Sequence, residues 1–87
     1  MPKLKCFYAT FGLAHPLRGR VQRILTPNYG EYATFEELAR RTMNSFYGDR
    51  WAFLYGPFDV KESRTVVLAG EVYLLVDNDL TAGEVYE

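Results

Sequence analysis

The chain has 87 residues, of which 48% are hydrophobic, 16% aromatic and 24% charged. This composition excludes intrinsic disorder, and we expect one domain, 1–87, near the lower size limit for a single hydrophobic core. The only cysteine, Cys6, excludes an intrachain disulfide, and no apolar run approaches the roughly 20 residues that span a bilayer, so we expect a cytoplasmic protein.

The formal net charge is only −1, but the charge is unevenly distributed. Residues 1–43 carry seven basic and three acidic side chains, whereas residues 44–87 carry three basic and eight acidic ones. Such asymmetry is typical of an anion-binding face or of complementary faces in an oligomer. It is too small for a general nucleic-acid-binding protein, whose affinity depends on many phosphate contacts.

The first predicted element is a β-strand over residues 3–11, KLKCFYATF, which is rich in aromatic residues and contains no Gly or Pro. Apolar side chains on both of its faces indicate an inner strand rather than an edge strand. Residues 12–19 then form a loop, and residues 20–26 a second strand. The pattern predicts an antiparallel hairpin with a long loop.

A helix is predicted over residues 34–47, after turn-forming residues 26–32. Thr34-Phe35-Glu36-Glu37 matches the capping box, in which Thr and Glu side chains bond to each other's backbone amides. Apolar residues then follow one helical stripe, and two Glu–Arg pairs at spacing four lie on the solvated side. Gly48 ends the helix as its C′ residue.

The second half of the chain predicts two further strands. Residues 51–55, WAFLY, form a strand with Trp51, Phe53 and Tyr55 on one face, and Gly56-Pro57 ends it. A polar connection, 59–64, leads to one long β-branched strand over residues 65–76.

Within that long strand, Gly70 marks a bulge or a close backbone approach. Asp77-Asn78-Asp79 then forms a turn.

The element order β-β-α-β-β predicts an α+β fold, with one helix packed on a small antiparallel sheet of about four strands. The residues expected in the core are Phe35, Leu38, Met43, Phe46, Phe53 and Leu74. One helix cannot cover both the aromatic row of 51–55 and the apolar side of 65–76. Since large exposed apolar patches are unusual on monomers, we expect a homo-oligomer, most simply a homodimer.

The loop after the first strand has two interpretations. It is a simple hairpin connection, in which Gly12 allows a positive φ, Pro16 fixes its own φ and the charged side chains are solvated. Alternatively it is a pocket for a small anion, because arginine guanidinium groups suit phosphate or carboxylate and loops on rigid strands often carry binding residues. The candidate ligand-binding residues are Thr10, Gly12, His15, Arg18 and Arg20, with Trp51 or Tyr55 as a stacking wall.

Catalysis and metal binding have little support in the sequence. Cys6 and His15 have no evident third group to orient them, and one His with one Cys cannot build a structural zinc site. Asp77, Asp79 and Glu84 lack the spacing of a calcium loop. We therefore expect no enzyme activity, no metal and no cofactor. Nucleic-acid binding through the aromatic strand ranks below a small-anion site because the pI is about 5.8.

Two longer stretches, FYATFGLAHPLRGRVQRI and LARRTMNSFYGDRWAFLY, resemble a group of short phage-encoded proteins of uncharacterised function. The shared elements are an aromatic strand that ends in Thr-aromatic-Gly (residues 10–12), then His-Pro-Leu (15–17) and Gly-x-x-Trp-Ala-Phe-x-Tyr (48–55), in that order. The resemblance covers about residues 6–55, and 59–87 lies outside it. It implies that His15, Arg18 and Trp51 lie near one another.

By analogy, small phage proteins of this kind counter host defence by binding a signalling nucleotide or by capping a host enzyme. The resemblance therefore implies a non-enzymatic viral protein that sequesters a small anionic, nucleotide-derived ligand in the host cytoplasm. The alternative is an interaction module that inhibits a host defence protein through an exposed aromatic sheet face. No membrane partner is expected.

Overall fold

One helix and six strands are present in the structure, a computed structural model that describes residues 3–28 and 32–82, with the side chains of 5–26 and 36–82. In chain order the elements are β1 (Lys3–Phe11), β2 (Arg20–Asn28), α1 (Tyr32–Tyr47), β3 (Trp51–Asp59), β4 (Thr65–Leu68), β5 (Glu71–Leu75) and β6 (Leu80–Thr81). No helix within the described residues is long and apolar enough to cross a membrane.

The strands form one curled, mixed sheet in the order β3-β1-β2-β5-β4, and β6 pairs with β2 beside β5. β1 pairs antiparallel with both β2 and β3, so it is an inner strand as predicted. β5 and β6 instead run parallel to β2. The predicted α+β class with one helix is confirmed, but the prediction of about four antiparallel strands was wrong because three strands lie between residues 65 and 81.

The predicted long strand over 65–76 is in fact a β-hairpin. Ala69 and Gly70 have φ angles of 51° and 83°, and Leu68 pairs directly with Glu71 across them. Two consecutive residues with positive φ make the tight turn that suits the twist of a hairpin. Gly70 therefore serves the turn. The sequence did not predict a turn at Ala69-Gly70 because Asn-Gly or Asp-Gly is the usual sequence for this turn.

The helix covers one face of the sheet and forms the first hydrophobic core. Leu38 and Met43 are buried there, as predicted, against alternate residues of β1. The buried members of this cluster are Phe7, Ala9, Phe11, Ile24, Leu38, Ala39, Met43 and Ala82. Alternation along β1 and β2 thus follows the predicted two-residue period.

A second core lies on the opposite, concave face of the sheet. Its buried members are Cys6, Tyr8, Val21, Leu68 and Leu75. The last two come from the β4–β5 hairpin, which curls over the face that the helix does not cover. The described part of residues 59–87 therefore completes the fold rather than extending it.

Two register shifts interrupt the pairing of β3 with β1, and after each shift the side chains of β3 alternate on the opposite faces of the sheet. Tyr8 pairs with Tyr55, but the pairing slips by one residue on either side, so that Phe11 pairs with Trp51 and Cys6 with Phe58. A β-bulge adds one residue to a strand and so turns the following side chains to the other face. Trp51 accordingly packs on the helix side and Tyr55 on the concave side. The prediction that they share a face was wrong, as was the predicted end of the strand at Gly56-Pro57.

Three residues predicted in the core are exposed. Phe46, Phe53 and Leu74 have relative accessibilities of 64%, 66% and 41%. Phe46 lines an open depression together with Thr81, and Phe53 lies in the bulged part of β3. Leu74 lies on β5, whereas the main contacts of the helix are with β1, β2 and β3. Phe35, also predicted in the core, lies outside the described side chains.

The helix boundaries agree closely with the predicted range 34–47. Gly48 has a φ of 65°, and its N–H bonds to the Asn44 carbonyl at 2.9 Å, as a C′ glycine does. The helix starts at Tyr32, so Thr34 lies inside the first turn and not at the capping position, and its side chain is outside the described set.

The predicted solvated ion pairs of the helix are present. They are Glu36–Arg40 at 3.1 Å and Glu37–Arg41 at 2.7 Å.

Candidate functional site

The loop between β1 and β2 is ordered by its own backbone hydrogen bonds. The N–H of His15 donates to the Gly12 carbonyl at 3.0 Å, that of Arg18 to the His15 carbonyl at 3.1 Å, and that of Arg20 to the Leu17 carbonyl at 3.0 Å. Successive turns of this kind hold the backbone of the loop locally. We call residues 12–19 the β1–β2 loop.

His15 is fixed in the loop by stacking and by one hydrogen bond. Its ring stacks on Phe11 with centroids 4.6 Å apart and meets the edge of Tyr47 at 6.2 Å. Its Nδ1 accepts a hydrogen bond from the N–H of Leu17 at 3.0 Å. The acceptor role of Nδ1 assigns the ring proton to Nε2, which is therefore the nitrogen able to donate to a ligand.

The cations near this loop differ from the others in lacking an ion pair. Of the nine basic side chains that the structure describes, five are in ion pairs with carboxylates. The four without an ion pair among the described residues are Arg18, Arg20, Arg50 and Lys61. Arg18 lies in the loop, Arg20 begins β2 and Arg50 directly precedes β3, so three of the four are at the same end of the sheet.

A shallow depression of about 220 Å³ lies at this end and is lined by Gly12, Ala14, His15 and Arg50. The guanidinium of Arg18 donates to the Leu13 carbonyl at 3.5 Å, which keeps it close to the loop. One acidic residue, Asp49, is adjacent to Arg50 in the chain. The local balance of charge is therefore positive.

Five of the seven sequence-predicted site residues lie at this end of the sheet, namely Gly12, His15, Arg18, Arg20 and Trp51. Trp51 is half-buried and pairs with Phe11, on which His15 stacks. The Nε1–H of Trp51 donates to Asn44 Oδ1 at 2.9 Å, and the guanidinium of Arg40 lies 5.9 Å from the ring centroid. Only part of the indole surface is thus open to a ligand.

The other two predicted residues, Thr10 and Tyr55, lie on the concave face. The buried Thr10 hydroxyl accepts a hydrogen bond from the N–H of Phe53 at 3.2 Å and so satisfies a backbone donor at the β3 bulge. Tyr55 packs against the second core. Both side chains are separated from the loop depression by the sheet.

Arg50 is the residue at this end that sequence reasoning missed. It stands in the short connection between α1 and β3, and only the pairing of β1 with β3 brings that connection beside the loop. The sequence contained one indication of this position. Arg50 directly precedes the predicted strand 51–55, so pairing of that strand with the predicted strand 3–11 would bring Arg50 beside the loop.

A larger cavity, of about 500 Å³, opens on the concave face between the end of β3 and the start of β4. We call it the concave cavity. It is lined mainly by Tyr8, Phe58, Asp59, Lys61, Thr65 and Val66. The sequence did not reveal it because residues 59–64 have the composition of an ordinary polar connection.

Beside the concave cavity, burial sets the protonation of two groups. Burial raises the pKa of Tyr8 to about 12, the nearby Cys6 thiol adds to the shift, and the Arg23 guanidinium opposes it. Burial also raises the pKa of the Cys6 thiol. Both groups are therefore protonated at neutral pH, and Cys6 has little of the thiolate character that a nucleophile needs.

Arg23 joins β2 to the segments that surround the cavity. It donates to the Lys61 carbonyl at 2.5 Å and to Asp79 Oδ2 at 2.7 Å. The hydrogen bond to Asp79 is the main cause that raises the pKa of Arg23. The first bond holds the 59–64 connection, and the ion pair with Asp79 holds the turn before β6.

Among the residues that the structure describes, no group of three or more His, Cys, Asp or Glu side chains is placed to hold a metal ion. Comparison of the chain with models of protein families, with curated proteins and with solved structures finds no match.

Proposed function

We propose that this chain is a non-catalytic binding protein that sequesters a small, anionic, nucleotide-like ligand at the β1–β2 loop end of the sheet. The observation that carries the proposal is that Arg18, Arg20 and Arg50 lie at one end of the sheet and have no ion pair among the described residues. Guanidinium groups that no internal carboxylate neutralises are available to phosphate, which they bind through paired, charge-assisted hydrogen bonds.

The order of the loop supports the proposal. Its backbone is held by three turn hydrogen bonds, and the ring of His15 is stacked and hydrogen-bonded within the protein. A site that is already ordered loses less conformational entropy when it binds, so more of the interaction energy appears as affinity. His15 Nε2 adds a donor, and the open part of the Trp51 ring offers an aromatic surface.

The proposed site therefore contains Gly12, His15, Arg18, Arg20 and Trp51, with Arg50 added to them. Thr10 and Tyr55 have no part in it because they lie across the sheet. A non-catalytic role is supported by the buried, protonated state of Cys6 and Tyr8 on that same far side. The resemblance to short phage-encoded proteins supports host defence as the process in which the ligand is sequestered.

Calorimetric titration of the protein with ATP and GTP tests the proposal. Loss of one charge-assisted bond to phosphate costs about 1.5–3 kcal/mol, so Arg18→Ala and Arg20→Ala each weaken binding by roughly ten- to a hundred-and-fifty-fold. Arg41→Ala is the matched control, because Arg41 is an exposed arginine on the helix, paired with Glu37. Equal affinity in all three variants contradicts the proposal.

One observation favours the alternative function, inhibition of a host defence protein, although through an aliphatic surface and not through the aromatic sheet face expected from the sequence. Val67 and Val72 are direct neighbours across the β4–β5 hairpin, and both are well exposed, at 64% and 68%. Leu74 continues the same face. Affinity purification followed by mass spectrometry separates the two functions, because the alternative predicts a retained polypeptide and sequestration predicts a retained small molecule.

A further inference from the structure

We propose that the concave cavity is a second binding site, which takes a small planar ring that carries a single anionic group. It lies on the opposite face of the sheet from the loop site and is independent of the proposed function. Nucleotides with several phosphates suit the arginines of the loop, whereas the concave cavity has one cation at its rim and aromatic walls.

The dimensions and walls of the cavity fit a ring-sized ligand. Its volume of about 500 Å³ is within the about 300–1,000 Å³ of most small-molecule sites. The rings of Tyr8 and Phe58 have centroids 5.7 Å apart and are tilted by 40°, so they form an angled aromatic wall. Val66 and Val67 line the cavity from β4. A flat, weakly polar ring is the shape that such walls contact best.

The charges at the rim select one anionic group. Asp59 is neutralised by Lys5 at 2.6 Å, which leaves Lys61 as the lining cation without an ion pair among the described residues. The uncharged polar groups of the lining on this side are the hydroxyls of Ser63 and Thr65, which lie 3.5 Å apart. A carboxylate or a single phosphate placed at Lys61 would therefore gain a charge partner and one neutral hydrogen bond.

The cavity wall that carries Lys61 is already held in place. Arg23 bonds to the Lys61 carbonyl, and Ser63 Oγ accepts from the Thr65 N–H at 3.2 Å. Arg23 is thus a positioning residue for the site, since its two terminal nitrogens bind the Lys61 carbonyl and the Asp79 carboxylate. Fixing the wall before binding lowers the entropic cost of taking up a ligand.

Amide chemical-shift mapping of the intact protein with two probes, indole-3-carboxylate and neutral indole, tests the inference. Both probes should cause saturable shifts at Tyr8, Phe58 and Thr65. Lys61→Ala should weaken indole-3-carboxylate by about five- to tenfold and leave indole unchanged, because only the first has a charge at Lys61. Arg64→Ala, which removes a neighbouring exposed cation, is the matched control and should change neither.

Phe58→Ala should weaken both probes, since it removes half of the aromatic wall from a residue that is 42% exposed and contributes little to the buried core. Arg18→Ala should change neither probe, which separates this site from the loop site. The inference is overturned if neither probe saturates, if Lys61→Ala and Arg64→Ala have the same effect on both probes, or if Arg18→Ala abolishes the binding.

Discussion

A methyl group added at Gly56 should strongly destabilise the protein, because the backbone of β3 lies directly against a buried phenylalanine there. A Cβ at this position would lie 2.6 Å from Cδ2 and 2.9 Å from Cγ of Phe7, and 3.0 Å from the carbonyl oxygen of Cys6. Phe7 is only 1% exposed, so its ring has no free space to enter. Gly56 also has a φ of 148°, which residues with a side chain rarely adopt.

The size of the effect follows from these two causes. Overpacking of a filled core costs about 1–3 kcal/mol, and a sparsely allowed backbone conformation costs on the order of 1–3 kcal/mol. Gly56→Ala should therefore lower the free energy of unfolding by about 2–6 kcal/mol, a large part of the 5–15 kcal/mol or so that stabilises a typical domain.

Urea denaturation followed by circular dichroism measures this loss, and the chain offers a matched control. Gly12 has no atom within 4 Å of an added Cβ, and its φ is not in the positive range. Gly12→Ala should therefore change stability little, or raise it slightly by restricting the unfolded chain. Equal denaturation midpoints for the two variants would refute the reasoning, because Gly56 would then not lie against the ring of Phe7.

Three further predictions concern the core, a tyrosine and the assembly. Leu38→Ala should lower the free energy of unfolding by about 2–5 kcal/mol in urea denaturation, because the side chain is buried in the first core; a loss below about 0.5 kcal/mol, typical of surface sites, would contradict its burial. The pKa of Tyr8 is raised from 10 to about 12, so its contribution to stability is present below pH 10 and is lost as the pH rises from 10 to about 12. The phenolate absorbance that Tyr8→Phe removes should accordingly titrate near 12, and titration near 10 would show that Tyr8 is not buried. The exposed face of Val67, Val72 and Leu74 predicts a homo-oligomer by light scattering, dissociated by Val72→Ser; a 10.0 kDa particle at tens of micromolar would argue against it.

Local patterns predicted the first half of the fold well. β1 and the end of α1 lie where the sequence places them, because an uninterrupted aromatic run and a helical stripe closed by Gly48 depend only on neighbouring residues. Leu38 and Met43 are buried for the same reason. The start of the helix was less accurate, since Thr34 matches a capping motif but lies inside the first turn.

The second half of the fold depends on contacts between residues that are distant in the sequence. The periodicity of apolar residues does not predict such contacts. β3 continues through Gly56-Pro57 because pairing with β1 holds it, and its two bulges place Trp51 and Tyr55 on opposite faces. The turn at Ala69-Gly70 has no strong sequence signature. The parallel pairing of β5 with β2 joins strands that are far apart in the sequence, and no local pattern predicts it.

The residues of the candidate site likewise fall into two groups, those that are neighbours in the sequence and those that strand pairing brings together. Gly12, His15 and the two loop arginines were predicted because they are neighbours in the sequence. Arg50 joins them only through the pairing of β1 with β3, and the concave cavity only through the curl of the β4–β5 hairpin. Thr10 was predicted in the site from its sequence position but does not lie there. Its hydroxyl accepts a hydrogen bond from the N–H of Phe53.

The most direct test of the central claim is amide chemical-shift mapping of the protein titrated with inorganic pyrophosphate. This probe carries the charge of a nucleotide without its base and so reports on the arginines alone. Anion binding at the loop end predicts saturable shifts confined to residues 12–20 and 48–51, with the Arg18 and Arg20 amides among the largest. Saturable shifts that are absent from these segments, or that occur only around Lys61 in the concave cavity, would contradict the claim.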